Sequence, residues 1–137
     1  MKKILILGGG ISKEREISIE TAKQVNKVLK TGFKTLICEP NNELIKKIQT
    51  FKPNLIFNAL HGRFGEDGYI QSILEKLKIK YTHSGVISSF LAMNKILSKE
   101  IFIKNNILTP KFIKFSFDDS QKISTKLIQK IKRKLKF

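Results

Sequence analysis

Apolar positions along the chain follow two rhythms. Residues 3–7, 33–38 and 55–58 predict strands, and the first, a continuous apolar run, reads as a strand covered on both faces of a parallel sheet. Lys80-Tyr81-Thr82 predicts a short fourth strand. Between the runs, apolar residues recur at helical spacing over residues 14–30, 43–51 and 67–77. In the first of these helices, Ile17, Ala22, Val25, Val28 and Leu29 approximate one face, and Gly32 is expected to end it as a left-handed C′ residue. Strands alternating with helices imply an α/β fold, a parallel sheet with right-handed crossovers.

Further on the pattern changes. His83 to Met93 reads as a turn and a short helix, and Asn94 is suited to cap a helix from Lys95 to about Asn105. Thr109-Pro110 ends that region, and residues 111–117 read as a strand that opens a new unit. A boundary near Met93 is expected, with residues 1–93 as one domain and 94–137 as the start of another. In the lysine-rich tail, Ile123, Leu127, Ile131 and Leu135 are spaced four apart, a stripe on an amphipathic helix. Such a helix can pack on a sheet, lie on a membrane surface or bind a partner.

A chain of 137 residues, 41% hydrophobic, suits one domain with a core but not two full ones. No apolar run approaches the roughly 20 residues of a membrane span, so a soluble, cytoplasmic protein without membrane insertion is expected. The single Cys38 lies in a predicted strand and reads as a core residue in a reducing compartment. The net charge of +16 suggests a polyanionic partner. Against nucleic acid, only three basic residues are arginines (Arg15, Arg63, Arg133), and the lysines are spread over every predicted helix.

Candidate chemistry gathers in two loops. Gly8-Gly9-Gly10 follows the first strand, but Lys13 stands where a dinucleotide fingerprint needs its third glycine, which argues against NAD. Instead Ser12-Lys13-Glu14-Arg15-Glu16-Ile17-Ser18 places carboxylates and a guanidinium at a helix start; one glutamate can favour the helix dipole, and one can hold a substrate ammonium. The second loop, Asn58 to Gly68, carries His61, Arg63, Glu66 and Asp67 among three glycines at the carboxyl end of a strand, where open α/β sheets place ligands.

Taken together, Gly-Gly-x-Ser-x-Glu-Arg-Glu-x-Ser, the loop His-Gly-x-x-Gly-Glu-Asp-Gly, Tyr81-Thr82-His83-Ser84-Gly85-Val86 and Met93-Asn94-Lys95 resemble the D-alanine–D-alanine ligases in order and spacing. The resemblance covers residues 3 to about 105. It implies a Rossmann-like pre-ATP-grasp domain with a four-stranded parallel sheet flanked by helices, followed by an incomplete ATP-grasp segment. The family joins two D-alanines for the peptidoglycan precursor, with ATP and Mg²⁺, through an acyl phosphate. By this resemblance Glu14 holds the ammonium of the first D-alanine, and His61 lines the same subsite and acts on the developing charge. Lys95 reaches the nucleotide phosphates, Ser18 and Glu66 support the subsite, and Gly9 and Gly62 give backbone access. A homodimer through the first domain is also implied.

His83 stands where the family usually has glycine, and Asn94 replaces an aspartate. The family's metal ligands lie beyond Phe137, so the chain is expected to be a truncated N-terminal portion, inactive alone and without tightly bound ATP or Mg²⁺. A non-catalytic remnant or a regulatory fragment that binds a partner is the alternative.

Overall fold

A computed structural model of the chain describes residues 1–114 and 124–135. Strand β1 (Lys3–Leu7) pairs in parallel with β2 (Lys34–Cys38) on one side and β3 (Leu55–Asn58) on the other, giving the order β2-β1-β3. Leu5 lies opposite Leu36 in one neighbour and Ile56 in the other. A central strand covered by helices has no solvent face, and the alternation of β1 side chains divides the core in two. Leu5 and Leu7 join Leu44 and Ile48 of α2 (Leu44–Phe51) and Ile70 and Leu74 of α3 (Tyr69–Lys76). Ile4 and Ile6 join Ala22, Val25 and Leu29 of α1 (Arg15–Leu29) on the opposite face. This is the arrangement right-handed crossovers produce when the chain steps out to β2 and returns across β1 to β3. Cys38 belongs to the first cluster, and burial pushes its thiol pKa up.

The sheet has three strands rather than the expected four. Residues 80–82 form only a single parallel bridge, between Ile56 and Tyr81. The Ile56 N–H donates to the Lys80 carbonyl at 2.9 Å, and the Thr82 N–H donates to the Ile56 carbonyl at 3.0 Å. Left-handed turns at Lys78 (φ 54°) and His83 (φ 86°) bracket this segment and leave it too short for a ladder. The Tyr81 hydroxyl donates to Glu75 Oε1 at 2.7 Å; burial first, and that carboxylate second, pushes Tyr81 up to about 12.

Two helix details also differ from expectation. Ile17 and Val28 are exposed, because at about 100° per residue they lie roughly 120–140° around the helix from Ala22. Ser18, about 40° from Ala22, takes the inward place and is fully buried. Gly32 is not left-handed, and the space around it is open.

After the bridge come α4 (Val86–Met93), α5 (Lys95–Lys104) and α6 (Thr125–Leu135). The described chain divides into two compact units, Met1–Asn94 and Lys95–Phe137. Residues 111–114, part of an expected strand, have no regular structure; the rest of that strand and Ile123 lie outside the described residues. In α6, Leu127, Ile131 and Leu135 are half-buried while its lysines and Arg133 are exposed. Among the described residues no helix is long and apolar enough to cross a membrane.

Candidate functional site

The loops after β1, β2 and β3 meet at the carboxyl end of the sheet, and internal hydrogen bonds fix each. After β1, the Gly8 N–H donates to the Cys38 carbonyl at 3.1 Å. The Gly9 N–H donates to Ser18 Oγ at 2.9 Å, and Ser18 Oγ donates to the Ala59 carbonyl at 2.8 Å. One buried hydroxyl therefore ties the first loop and the end of β3 to α1.

After β3, Asn58 organises the central loop. Its Nδ2 donates to the Gly65 carbonyl at 2.8 Å, and its Oδ1 accepts the Leu60 N–H at 3.1 Å. Gln71 Nε2 reaches the same Gly65 carbonyl at 2.8 Å. Gly65 packs so tightly on Leu60 that a Cβ there would collide with the leucine side chain. Glu66 Oε2 accepts the Gly62 N–H at 2.8 Å, while Asp67 accepts those of Phe64 at 2.9 Å and Tyr69 at 3.1 Å. Both carboxylates thus close the turn around backbone donors.

Glu14 and His61 come together where these loops touch. Ser12 Oγ donates to the His61 carbonyl at 2.8 Å and accepts the Glu14 N–H at 3.1 Å. The Glu14 carboxylate lies against Gly62, whose φ is 69°; any Cβ there would collide with Glu14 Oε2. His61 Nε2 is 3.1 Å from Thr21 Oγ1, and the Thr21 hydroxyl donates its one proton to the Ile17 carbonyl at 2.9 Å. Nε2 therefore donates to the Thr21 hydroxyl oxygen, and Nδ1 lies 3.8 Å from Glu66 Oε1. Glu14 is exposed, and among the described residues its carboxylate takes no hydrogen bond or ion pair. It differs in this from Glu39, Glu66 and Asp67, which are all engaged.

Glu39, at the end of β2, was not singled out from the sequence. Its Oε1 accepts Arg15 Nε at 2.8 Å and the Gly10 N–H at 3.2 Å, and its Oε2 accepts Arg15 NH2 at 3.1 Å. The Arg15 hydrogen bonds hold Glu39 below its ordinary pKa of 4.5. The pair braces the turn at Gly9 and Gly10, both left-handed at φ 88° and 89°. Arg15 also donates to Glu16 at 2.8 Å.

Known proteins are similar to this chain in sequence and in fold. The D-alanine–D-alanine ligase of Pelagibacter ubique (strain HTCC1062) is 64% identical over 130 residues, covering 94% of this chain and 43% of the relative. The chain is homologous to the D-alanine–D-alanine ligases. That of Wolbachia pipientis wMel is 46% identical over 125 residues, 90% of this chain and 40% of its own. A crystal structure of the Bacillus anthracis ligase complexed with ATP superposes with a TM-score of 0.73 at 32% identity, over 88% of this chain and 44% of that one. The chain thus spans less than half the length of these ligases. No family model matches it.

Against the ligase motifs, the remaining site residues stand as follows. His83 sits at φ 86°, in the left-handed region that favours glycine. Its Nδ1 lies 3.2 Å from Asn58 Nδ2, a bond to the central loop that a glycine could not make. Lys95 is the first residue of α5, exposed, in the second unit. Among the described residues no three His, Cys, Asp or Glu side chains are grouped so as to hold a metal ion.

Proposed function

We propose that this chain supplies the wall of a D-alanine–D-alanine ligase that holds the first D-alanine, within cytoplasmic peptidoglycan-precursor synthesis. The observation that carries the reading is the unengaged Glu14 carboxylate, set beside His61 in a loop system whose other carboxylates are committed to holding it. An ammonium donates to Glu14 through a charge-assisted hydrogen bond, which orients the amino acid and leaves its carboxylate free to be phosphorylated. His61, with Nε2 anchored on Thr21, keeps its ring edge in the same subsite as charge develops on that carboxylate. Gly62 gives close backbone access. Ser18, with both its hydrogen-bonding directions used internally, acts by positioning the glycine loop.

In the same reading residues 1–93 are the pre-ATP-grasp domain and 94–137 open the ATP-grasp domain. Lys95 meets the phosphates of ATP, Mg²⁺ serves the phosphoryl transfer, and the first domain is the homodimer surface.

The test is a titration of the chain with D-alanine followed by backbone amide shifts. Saturable shifts are expected at Glu14, His61 and Gly62, with affinity reduced about tenfold or more in Glu14→Gln. Shifts that avoid these residues, or an affinity unchanged in Glu14→Gln, overturn the assignment. With ATP, Mg²⁺ and D-alanine, the chain alone is expected to release no phosphate above a no-protein control; release would show that it holds more than one wall.

A further inference from the structure

On the sheet face opposite α1, a cleft of about 220 Å³ opens at the carboxyl end of β1. It lies between the Gly9–Ile11 turn, the Pro40–Asn42 turn and the start of α3. Its floor is apolar, formed by Leu44, Leu60, Ile70 and Ile73. Phe64 and Tyr69, edge to face with ring centroids 4.8 Å apart, line it as well. Arg63 borders it, exposed, with its guanidinium carbon 5.8 Å from the centre of the Phe64 ring. No carboxylate among the described residues pairs with Arg63, whereas Arg15 is taken by Glu39 and Glu16.

We propose that this cleft is a second ligand site, for a small carboxylate with a compact apolar body. The body rests on Leu60, Ile70 and Ile73, and the carboxylate meets the Arg63 guanidinium. Size supports this: a closed apolar cavity of roughly 150 Å³ accepts benzene, so 220 Å³ accommodates a molecule the size of benzoate. Within cation–π reach of Phe64, the guanidinium is drawn toward the ring while its N–H groups remain available to a carboxylate. The same lining rejects two other classes. A phosphate ester would bring further negative charge over leucine and isoleucine with one arginine to balance it. An amino acid would bring an ammonium to a lining that contains no acidic side chain.

The cleft is therefore chemically distinct from the Glu14 site. Glu14, Ser18, Thr21 and Gly62 do not line it, and of the first site's residues only Gly9 and His61 border it. The proposal does not depend on the ligase reading.

The test is a titration of the full chain with benzoate and, separately, with its neutral isostere benzamide, followed by amide shifts. Saturable benzoate shifts are expected at Leu60, Phe64, Ile70 and Ile73, with benzamide about fivefold weaker. Arg63→Gln should bring benzoate down to the benzamide affinity and leave benzamide unchanged, and D-alanine should not compete. The proposal is overturned if these amides do not shift, if benzamide binds as well as benzoate, or if Arg63→Gln changes nothing. It is equally overturned if D-alanine competes, or if the shifts scatter over the lysine-rich helices, the mark of unspecific anion pairing on a +16 chain.

Discussion

Replacing Ser18 by alanine removes one oxygen and tests its role as the anchor of the glycine loop. The Ser18 hydroxyl is fully buried, accepts the Gly9 N–H at 2.9 Å and donates to the Ala59 carbonyl at 2.8 Å. Alanine orphans one donor and one acceptor in places water does not reach. An orphaned buried polar group costs about 1–3 kcal/mol, and the vacated space is too small for a replacement water, so a loss of about 2–4 kcal/mol is expected. With a urea slope of about 1.5 kcal/mol/M, the unfolding midpoint should fall by roughly 1.5–2.5 M. Amide exchange gives the local readout: Gly9 should lose protection beyond the global change, because its only acceptor is gone. A loss under about 0.5 kcal/mol with Gly9 still protected would refute the anchor argument.

Two further outcomes follow from the same loops. Because Arg15 holds Glu39 below 4.5, the carboxylate's support of the glycine turn is present above that value and is lost as pH falls through the lowered pKa. Gly10 amide exchange, corrected for its intrinsic rate, should quicken in that acid window, and Glu39→Gln should quicken it at all pH without the acid step; protection flat down to about pH 2.5 in the parent chain would contradict this. Lys78 sits at φ 54° without being glycine, so Lys78→Gly should raise stability by about 0.5–1 kcal/mol, net of glycine's unfolded-state entropy. Thermal unfolding checks it, and an unchanged or lowered melting temperature counts against the strain argument.

What the sequence discloses depends on how local the cause is. Lys3–Leu7 is legible as a central strand because both faces of β1 are buried and Ile4 to Leu7 are apolar without a break. The limit of the fourth strand is not legible, because it lies in the φ of Lys78 and His83, and neither lysine nor histidine signals a left-handed turn as glycine does. Hydrophobicity alone points Ile17 and Val28 to the buried face, although helical arithmetic turns them outward and gives their place to a serine. The site divides in the same way. Glu14 and His61 are legible because each falls in a dense motif, and the fold brings their loops together through Ser12. Glu39 is silent in the sequence because its meaning is relational: it stands 24 residues from Arg15, in a segment without a motif, and matters only because the end of β2 lies beside the glycine turn. Residues that touch a substrate are constrained by chemistry that recurs, whereas residues that brace them need only reach the right backbone donor. The Arg15–Glu39 brace and the Ser18 tie are therefore visible only once the strands are in register.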